Sequence, residues 1–132
     1  MIIFKHANEL TRYLHSLQQS KRTIGFVPTM GALHAGHISL LEQSKSQTDV
    51  TICSVFVNPT QFNDPNDYKK YPVELEKDIQ RVESACTDVL FVPDASELYP
   101  GGYTTLENYD LGYLETVLEG KYRPGHFQGV CQ

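Results

Sequence analysis

The sequence lacks the features that mark membrane, nucleic-acid-binding and disulfide-framework proteins. No apolar stretch in its 132 residues approaches the ~20 residues that cross a bilayer, and the start turns polar too early for a signal peptide. The net charge of −5 leaves no basic surplus to neutralise nucleic acid or an anionic membrane. Three cysteines without a CxxC pair favour a reducing compartment. We therefore expect a cytoplasmic protein that binds neither membrane nor nucleic acid.

Common catalytic and metal-binding motifs are missing as well. No cluster of histidine, cysteine and aspartate has the spacing of a metal site, so we assign no metal ligand. Neither a Walker loop nor a serine-centred nucleophile elbow occurs. The chain has no repeat and no clear linker, and 132 residues suffice for one hydrophobic core. The sequence thus predicts one domain over residues 1–132.

Helix and strand signals alternate along the first two thirds of the chain. Apolar residues recur at helical spacing from Leu10 to Leu17, and short apolar runs rich in β-branched residues indicate buried strands. The predicted elements are a helix at 10–17, a strand at 24–27, a helix at 36–45, a strand at 50–57, a third helix, and a strand at 89–92. This alternation predicts parallel crossovers and a doubly wound, Rossmann-like α/β sheet.

The third helix and the last third of the chain carry more detailed predictions. Pro72 suits the first turn of the third helix, and its buried stripe is predicted as Leu75, Ile79, Val82 and Cys86. The carboxylates of this helix are predicted to lie on its exposed face, namely Glu74, Glu76 and Asp78. A short helix is predicted at 111–118, and another helix begins after Gly125.

The most informative segment runs from Pro28 to His37 (PTMGALHAGH) and directly follows a predicted strand. Its glycines allow close approach to a bulky anion, and a helix start directs N–H groups and partial positive charge at it. His34 and His37, three residues apart, would project from the same side of that first helical turn and donate hydrogen bonds to phosphate oxygens. The alternative is a surface turn with two solvated histidines.

A second polar segment, Asn58–Phe62 (NPTQF), follows the next predicted strand. Because ligands of an open parallel sheet bind beyond the carboxyl ends of its strands, both segments are expected on one rim. The amides of Asn58 and Gln61 suit a polar substrate, and Phe62 suits the wall of an apolar pocket. The alternative is an Asn-Pro turn that ends the strand. Tyr71, Arg123 and His126 point less specifically to a ligand. Tyr71 before a proline is typical of the entry to a helix, and basic residues in a loop such as Arg123 and His126 are usually solvated.

These segments resemble a known family. FVPTMGALHAGH, SVFVNPTQF, KYP, LYP and RPGHFQGV occur in this order, as in the N-terminal part of the pantoate–β-alanine ligases (pantothenate synthetases). The HxGH element alone is shared across the HUP nucleotidyltransferase superfamily. The resemblance implies that pantoate attacks the α-phosphate of ATP, which carries Mg²⁺, to give pantoyl adenylate and pyrophosphate. β-Alanine then displaces AMP to give pantothenate.

The resemblance also implies roles for individual residues. His34 and His37 are the implied catalytic residues, with His37 the proton donor, and both contact the phosphates. The ATP-binding segment is Met30, Gly31, Ala32, Leu33, His34, Ala35, Gly36 and His37. The implied pantoate and β-alanine contacts are Gln61 and Asn58, an apolar surface of Pro28, Met30, Phe62 and Val130, and, less specifically, Tyr71 and His126. A homodimer is implied as well.

The chain departs from the family pattern at its end. The Gly-Glu-Lys-Asp segment and the Ser-Ser-Arg loop of the family do not occur in it, so we expect the N-terminal domain of the enzyme alone, with half a catalytic site and little or no turnover. Two alternatives stay open. One is another HxGH nucleotidyltransferase, acting on a pantetheine or a nicotinate nucleotide. The other is a non-catalytic binding or assembly module of the same fold.

Overall fold

The computed structural model describes residues 1–62, 64–103 and 107–132. The chain divides into two compact units. The first comprises Met1–Phe56 and Pro72–Leu98, and the second comprises Val57–Tyr71 and Tyr99–Gln132. Within the described ranges, no helix is both long and apolar enough to cross a membrane.

Four strands and seven α-helices make up the regular structure of the described residues. The strands are β1 (Ile2–Phe4), β2 (Ile24–Thr29), β3 (Val50–Val55) and β4 (Val89–Phe91). The helices are α1 (Ala7–Gln19), α2 (Ala35–Gln47), α3 (Pro65–Lys70), α4 (Leu75–Ser84), α5 (Ala95–Leu98), α6 (Leu118–Tyr122) and α7 (His126–Cys131).

The first unit is built on one parallel sheet with the strand order β1-β4-β3-β2. All three pairings are parallel, which confirms the predicted parallel α/β class. Strand β1, which the sequence analysis did not predict, is only three residues long and too short for a periodic signal. All six residues of β3 are buried, as expected for a strand covered on both faces.

Two apolar clusters cover the two faces of this sheet. On one face, Leu41 of α2 and Val82 of α4 pack with alternate residues of the central strands. On the other face, Leu10 of α1 packs with Val50 and Ile52 of β3. Because successive side chains of a strand point to opposite faces, β3 contributes to both clusters. Helices on both faces confirm the doubly wound arrangement.

Strand β2 runs two residues further than predicted and ends at Thr29. Pro28 therefore lies inside a strand. The missing N–H of proline is tolerated here because β2 is at the edge of the sheet and has no neighbouring strand on its outer side to accept a hydrogen bond. The extension carries the backbone directly from the sheet into the histidine-containing segment.

The third predicted helix is shorter than expected. Helix α4 begins at Leu75, because Glu74 has a non-helical backbone (φ −123°, ψ 55°), so Pro72 lies outside the helix. Cys86 is exposed and lies beyond the helix end with φ +54°. Ala85 packs against the core instead, and the prediction that Cys86 belongs to the buried stripe is wrong.

The second unit consists of short helices. Besides α3, α6 and α7 it contains 3₁₀ helices at Pro59–Gln61 and Gly112–Thr116. The single helix predicted at 111–118 is wrong, because Val117 is extended (φ −129°, ψ 162°) and Leu118 has φ +48°. The helix predicted after Gly125 is confirmed as α7.

Candidate active site

The segment between β2 and α2 turns sharply at two consecutive residues. Gly31 and Ala32 have φ angles of +80° and +50°, the left-handed region that glycine adopts freely and alanine adopts at a cost. Thr29 stabilises the turn through its hydroxyl, which accepts a hydrogen bond from the Gly31 amide (3.2 Å) and donates one to the Ser54 carbonyl (2.7 Å). The turn is thus attached to the central strand β3 as well as to β2.

The carboxylate of Asp78 on α4 binds the same turn. The Ala32 amide donates to Oδ2 at 2.9 Å, and the Leu33 amide donates to Oδ1 at 2.8 Å. Asp78 is only 1% exposed, so its predicted position on an exposed helix face is wrong. The sequence contained the contrary signal, because Leu75, Asp78, Ile79 and Val82 follow the i, i+3, i+4, i+7 spacing of one helix face.

Arg81 contributes positive charge beside this buried carboxylate. Its guanidinium donates a hydrogen bond to the Leu33 carbonyl, and Nη1 lies 4.0 Å from Asp78 Oδ1. A buried charge is costly unless it is paired and hydrogen-bonded. Here two amides and one guanidinium compensate it, so the turn and α4 form one connected polar structure.

His34 and His37 cap the start of α2 reciprocally. Nδ1 of His34 accepts from the Gly36 amide at 3.1 Å, and Nδ1 of His37 accepts from the His34 amide at 3.2 Å. The arrangement is a histidine version of the capping box. The two rings lie close together, with centroids 4.1 Å apart and planes at 52°, as predicted for side chains on the same side of the helix start, although His34 is the N-cap and precedes the first turn.

These cap bonds fix the tautomers of the two rings. A nitrogen that accepts a hydrogen bond from a backbone amide carries no proton, so in each neutral imidazole the proton resides on Nε2. Each ring therefore presents one N–H donor away from the helix. Burial lowers the pKa of His37 below its ordinary value, the neighbouring His34 lowers it further, and Asp78 partly opposes them.

The backbone amides of the turn are less available to an anion than the sequence predicts. Those of Ala32 and Leu33 are bound by Asp78, and those of Gly36 and His37 are bound within the cap. In the part of the chain that the structure describes, the Ala35 amide at the helix start has no acceptor. An anion at this helix would therefore meet the two imidazole donors and that amide.

In the second unit, Asn58 is a buried centre of hydrogen bonds. Its Oδ1 accepts from the Thr60 amide (3.1 Å), the Thr60 hydroxyl (2.8 Å) and the Tyr99 hydroxyl (3.0 Å). Its Nδ2 donates to the Gly129 carbonyl at 3.2 Å. The side chain thus joins the Pro59–Gln61 turn to α7, a set of contacts that sequence reasoning missed.

Gln61 differs from Asn58 in having an uncommitted side chain. Its backbone carbonyl accepts from Arg123 Nη2 (3.4 Å) and His126 Nδ1 (3.0 Å). Its side-chain amide makes no hydrogen bond to any residue that the structure describes. Because a carbonyl only accepts, neutral His126 carries its proton on Nδ1 and exposes the lone pair of Nε2.

Aromatic side chains surround Phe62 in the second unit. Its ring makes edge contacts with Tyr68 (5.5 Å between centroids) and Tyr71 (5.7 Å), and the Arg123 guanidinium lies 6.0 Å from its centroid. Val130 on α7 is 51% exposed.

The predicted site residues fall into two groups. Pro28 and the segment 30–37 belong to the first unit, and Asn58, Gln61, Phe62, Tyr71, His126 and Val130 belong to the second. Among the described residues, no three of His, Cys, Asp and Glu are placed to hold a metal ion.

Known proteins match this chain over nearly its whole length. The family model described as pantoate-beta-alanine ligase matches residues 2–132. Pantothenate synthetase from Francisella philomiragia is 50% identical over 130 residues, covering 98% of this chain and 49% of that protein. The enzyme of the same name from Cytophaga hutchinsonii is 46% identical over 133 residues, covering 99% of this chain and 46% of that protein.

Solved structures agree with these sequence matches. Pantoate-beta-alanine ligase from Francisella tularensis, complexed with beta-gamma ATP and beta-alanine, superposes with a TM-score of 0.85 at 50% identity, covering 98% of this chain and 49% of that one. Pantothenate synthetase from Thermus thermophilus gives 0.80 at 39% identity, covering 98% and 45%. The chain spans about half the length of the curated relatives it matches. The sheet, the histidine-capped helix and these matches together place the chain in the pantoate–beta-alanine ligase family.

Proposed function

We propose that the protein carrying this chain condenses pantoate with β-alanine at the expense of ATP. In the first step a pantoate carboxylate oxygen attacks the α-phosphorus, and the bond to pyrophosphate breaks. In the second step the β-alanine amine attacks the acyl carbon and AMP leaves, while the amine proton passes to solvent. The reciprocal cap at the start of α2 carries this proposal, because it presents two oriented N–H donors.

In this proposal, the segment Met30–His37 binds ATP, and His34 and His37 stabilise charge that develops on its phosphates. In-line transfer at phosphorus needs positioning and charge stabilisation more than covalent help from the protein. Neutral Nε2–H donors supply that stabilisation without breaking the cap. The lowered pKa of His37 supports a neutral ring, so we assign both histidines a hydrogen-bonding role and leave proton donation by His37 as a prediction. Mg²⁺ would arrive on the ATP phosphates.

For the second unit we propose substrate contacts that follow from its side chains. The uncommitted amide of Gln61 suits the hydroxyl and carboxylate groups of pantoate. Asn58 is engaged in four internal hydrogen bonds, so we propose that it shapes the turn that presents Gln61. Phe62 and the exposed Val130 suit the pantoate methyl groups. Contacts from Tyr71 and His126 stay predictions.

In the first unit, pantoate contacts from Pro28 and Met30 likewise stay predictions. We also propose one domain over 1–132, a cytoplasmic location and a homodimer. The three free cysteines support a reducing compartment, and the net charge of −5 supports small-molecule partners over nucleic acid. The homodimer rests on the family resemblance, and sedimentation would test it.

Pantoate-dependent exchange of labelled pyrophosphate into ATP tests the proposed function. It should be measured on the natural full-length protein that contains this chain, with a pantetheine and a nicotinate nucleotide as competing acceptors. Exchange with pantoate alone is the expected result. Exchange only with another acceptor would assign a different nucleotidyltransferase, and no binding of ATP or pantoate by calorimetry would assign a non-catalytic module.

A further inference from the structure

A single buried carboxylate holds the turn that precedes the two histidines. We propose that Asp78 is a positioning residue, which sets the geometry of His34 and His37 by binding the amides of Ala32 and Leu33. The inference rests on the proposed function, since it assigns Asp78 a part in the same phosphate-binding segment.

The geometry requires a carboxylate at this position. The two amides reach different oxygens, at 2.9 Å and 2.8 Å, so both atoms of the acceptor group are used. An asparagine of the same shape has one acceptor and would turn its NH₂ group toward the other amide. Successive amides around a left-handed residue form a concave, positively polarised nest that suits an anion. Here the anion is the carboxylate of Asp78, a residue of the same chain.

The bound carboxylate offsets the strain of the turn. Ala32 has φ +50°, a left-handed conformation that is unfavourable for a residue with a Cβ atom. Leu33 directly precedes His34, so the direction in which the chain leaves this residue sets where the N-cap lies. Without Asp78 the turn could relax toward an ordinary conformation, and the Nε2–H donors would move relative to the phosphates.

Asp78 also acts on His37 through its charge. Among the described residues, His34 and Asp78 act on the His37 imidazole through their charges, and of these two groups the carboxylate favours its protonation. Arg81 adds positive charge at the Leu33 carbonyl. Replacement of the carboxylate by a neutral group should therefore lower the pKa of His37 further, which a purely mechanical support would not do.

Asp78→Asn tests the proposal, with Glu76→Gln as the matched control, because Glu76 lies on the same helix and is exposed. In the natural full-length protein, we expect Asp78→Asn to lower kcat for pyrophosphate exchange by roughly 10- to 100-fold, the scale of a small misplacement of catalytic groups. KM for ATP should change much less. NMR titration of the same full-length variants should show a lower pKa for His37 and shifted amide resonances for Ala32 and Leu33.

A second variant separates positioning from a general loss of folding. Ala32→Gly removes the left-handed strain, so Ala32→Gly/Asp78→Asn should recover part of the lost kcat if Asp78 acts through the turn. Equal kcat and equal His37 pKa in Asp78→Asn and Glu76→Gln would overturn the proposal, as would a double variant without recovery. Absence of exchange in the unaltered protein would refute the proposed function instead, while the NMR measurements would still decide the role of Asp78.

Discussion

Replacement of His37 should separate the stability of the cap from the chemistry of the imidazole. In the folded chain, His37 Nδ1 accepts one backbone hydrogen bond, from the His34 amide at 3.2 Å. Loss of one such bond in His37→Ala should cost about 0.5–1.5 kcal/mol of unfolding free energy. Loss of a preorganised donor to the reacting phosphate should cost about 2.7–4 kcal/mol, which is 10²- to 10³-fold in rate.

The two magnitudes can be measured separately. Urea unfolding of the 132-residue chain gives the first, and pantoate-dependent pyrophosphate exchange by the natural full-length protein gives the second. A small domain has about 5–15 kcal/mol of stability, so the expected loss leaves the protein folded and cannot account for a rate lower by about 100-fold.

His37→Glu is the matched variant for this experiment. Glutamate at this third helical position restores a capping box and suits the positive end of the helix dipole, so stability should return to the level of the unaltered chain. Its carboxylate cannot donate to a phosphate and repels it, so activity should fall to or below that of His37→Ala. Activity of the glutamate variant near that of the unaltered protein would refute the assigned role of His37.

Four further measurements test other parts of the structure. Leu41→Ala, at a fully buried position (0% exposed), should lower the unfolding free energy by about 2–5 kcal/mol in urea. Gly129→Ala should destabilise the second unit, because a Cβ atom there would lie 2.0 Å from the Thr60 carbonyl oxygen. The Thr60 and Gly129 amides should then exchange hydrogen faster, and unchanged protection of these amides would contradict this expectation. Cys53, whose pKa burial raises to about 11, should resist thiol reagents at about pH 8 until urea unfolds the chain. The pKa of His37 in the folded chain lies below its ordinary 6.5, so the unfolded chain takes up the proton at a higher pH than the folded chain does. The contribution of His37 to the unfolding free energy should therefore be present above about pH 6.5 and be lost as the pH falls below that value. His37→Gln should make the unfolding free energy depend less on pH in this range.

Much of the first unit could be predicted from the sequence, because the apolar residues that indicate its strands and helices are also the residues that are buried in the fold. The continuous apolar run of β3 indicates a strand covered on both faces, and the histidine spacing places both rings on one side of the start of α2. The prediction for Asp78 is wrong because the charge of a residue favours an exposed position, whereas its place on the helix favours burial. Its carboxylate is buried only because partners distant in sequence, Ala32 and Leu33, compensate it, and a local pattern does not reveal them.

The second unit was less predictable for a different reason. Its helices are short, and a few turns without strong periodicity give little signal. The break between Gly112–Thr116 and α6 depends on the unusual backbone of Leu118, which nothing in its side chain suggests. The hydrogen bonds of Asn58 join residues up to 71 positions apart, so only the folded chain brings them together.

The pairing of β1 has a consequence for how the sheet is assembled. Ile2 lies opposite Val89, and β1 pairs with no strand other than β4 among the described residues. Strands β2 and β3 are joined by α2 alone and can associate as soon as both have left the ribosome, whereas the first strand must wait until β4 is synthesised. Strand β1 precedes the other three strands in the chain and is therefore the last of them to join the sheet. Deletion of residues 1–4 should consequently leave the rate at which the β2–α2–β3 unit forms unchanged and mainly raise the rate of unfolding.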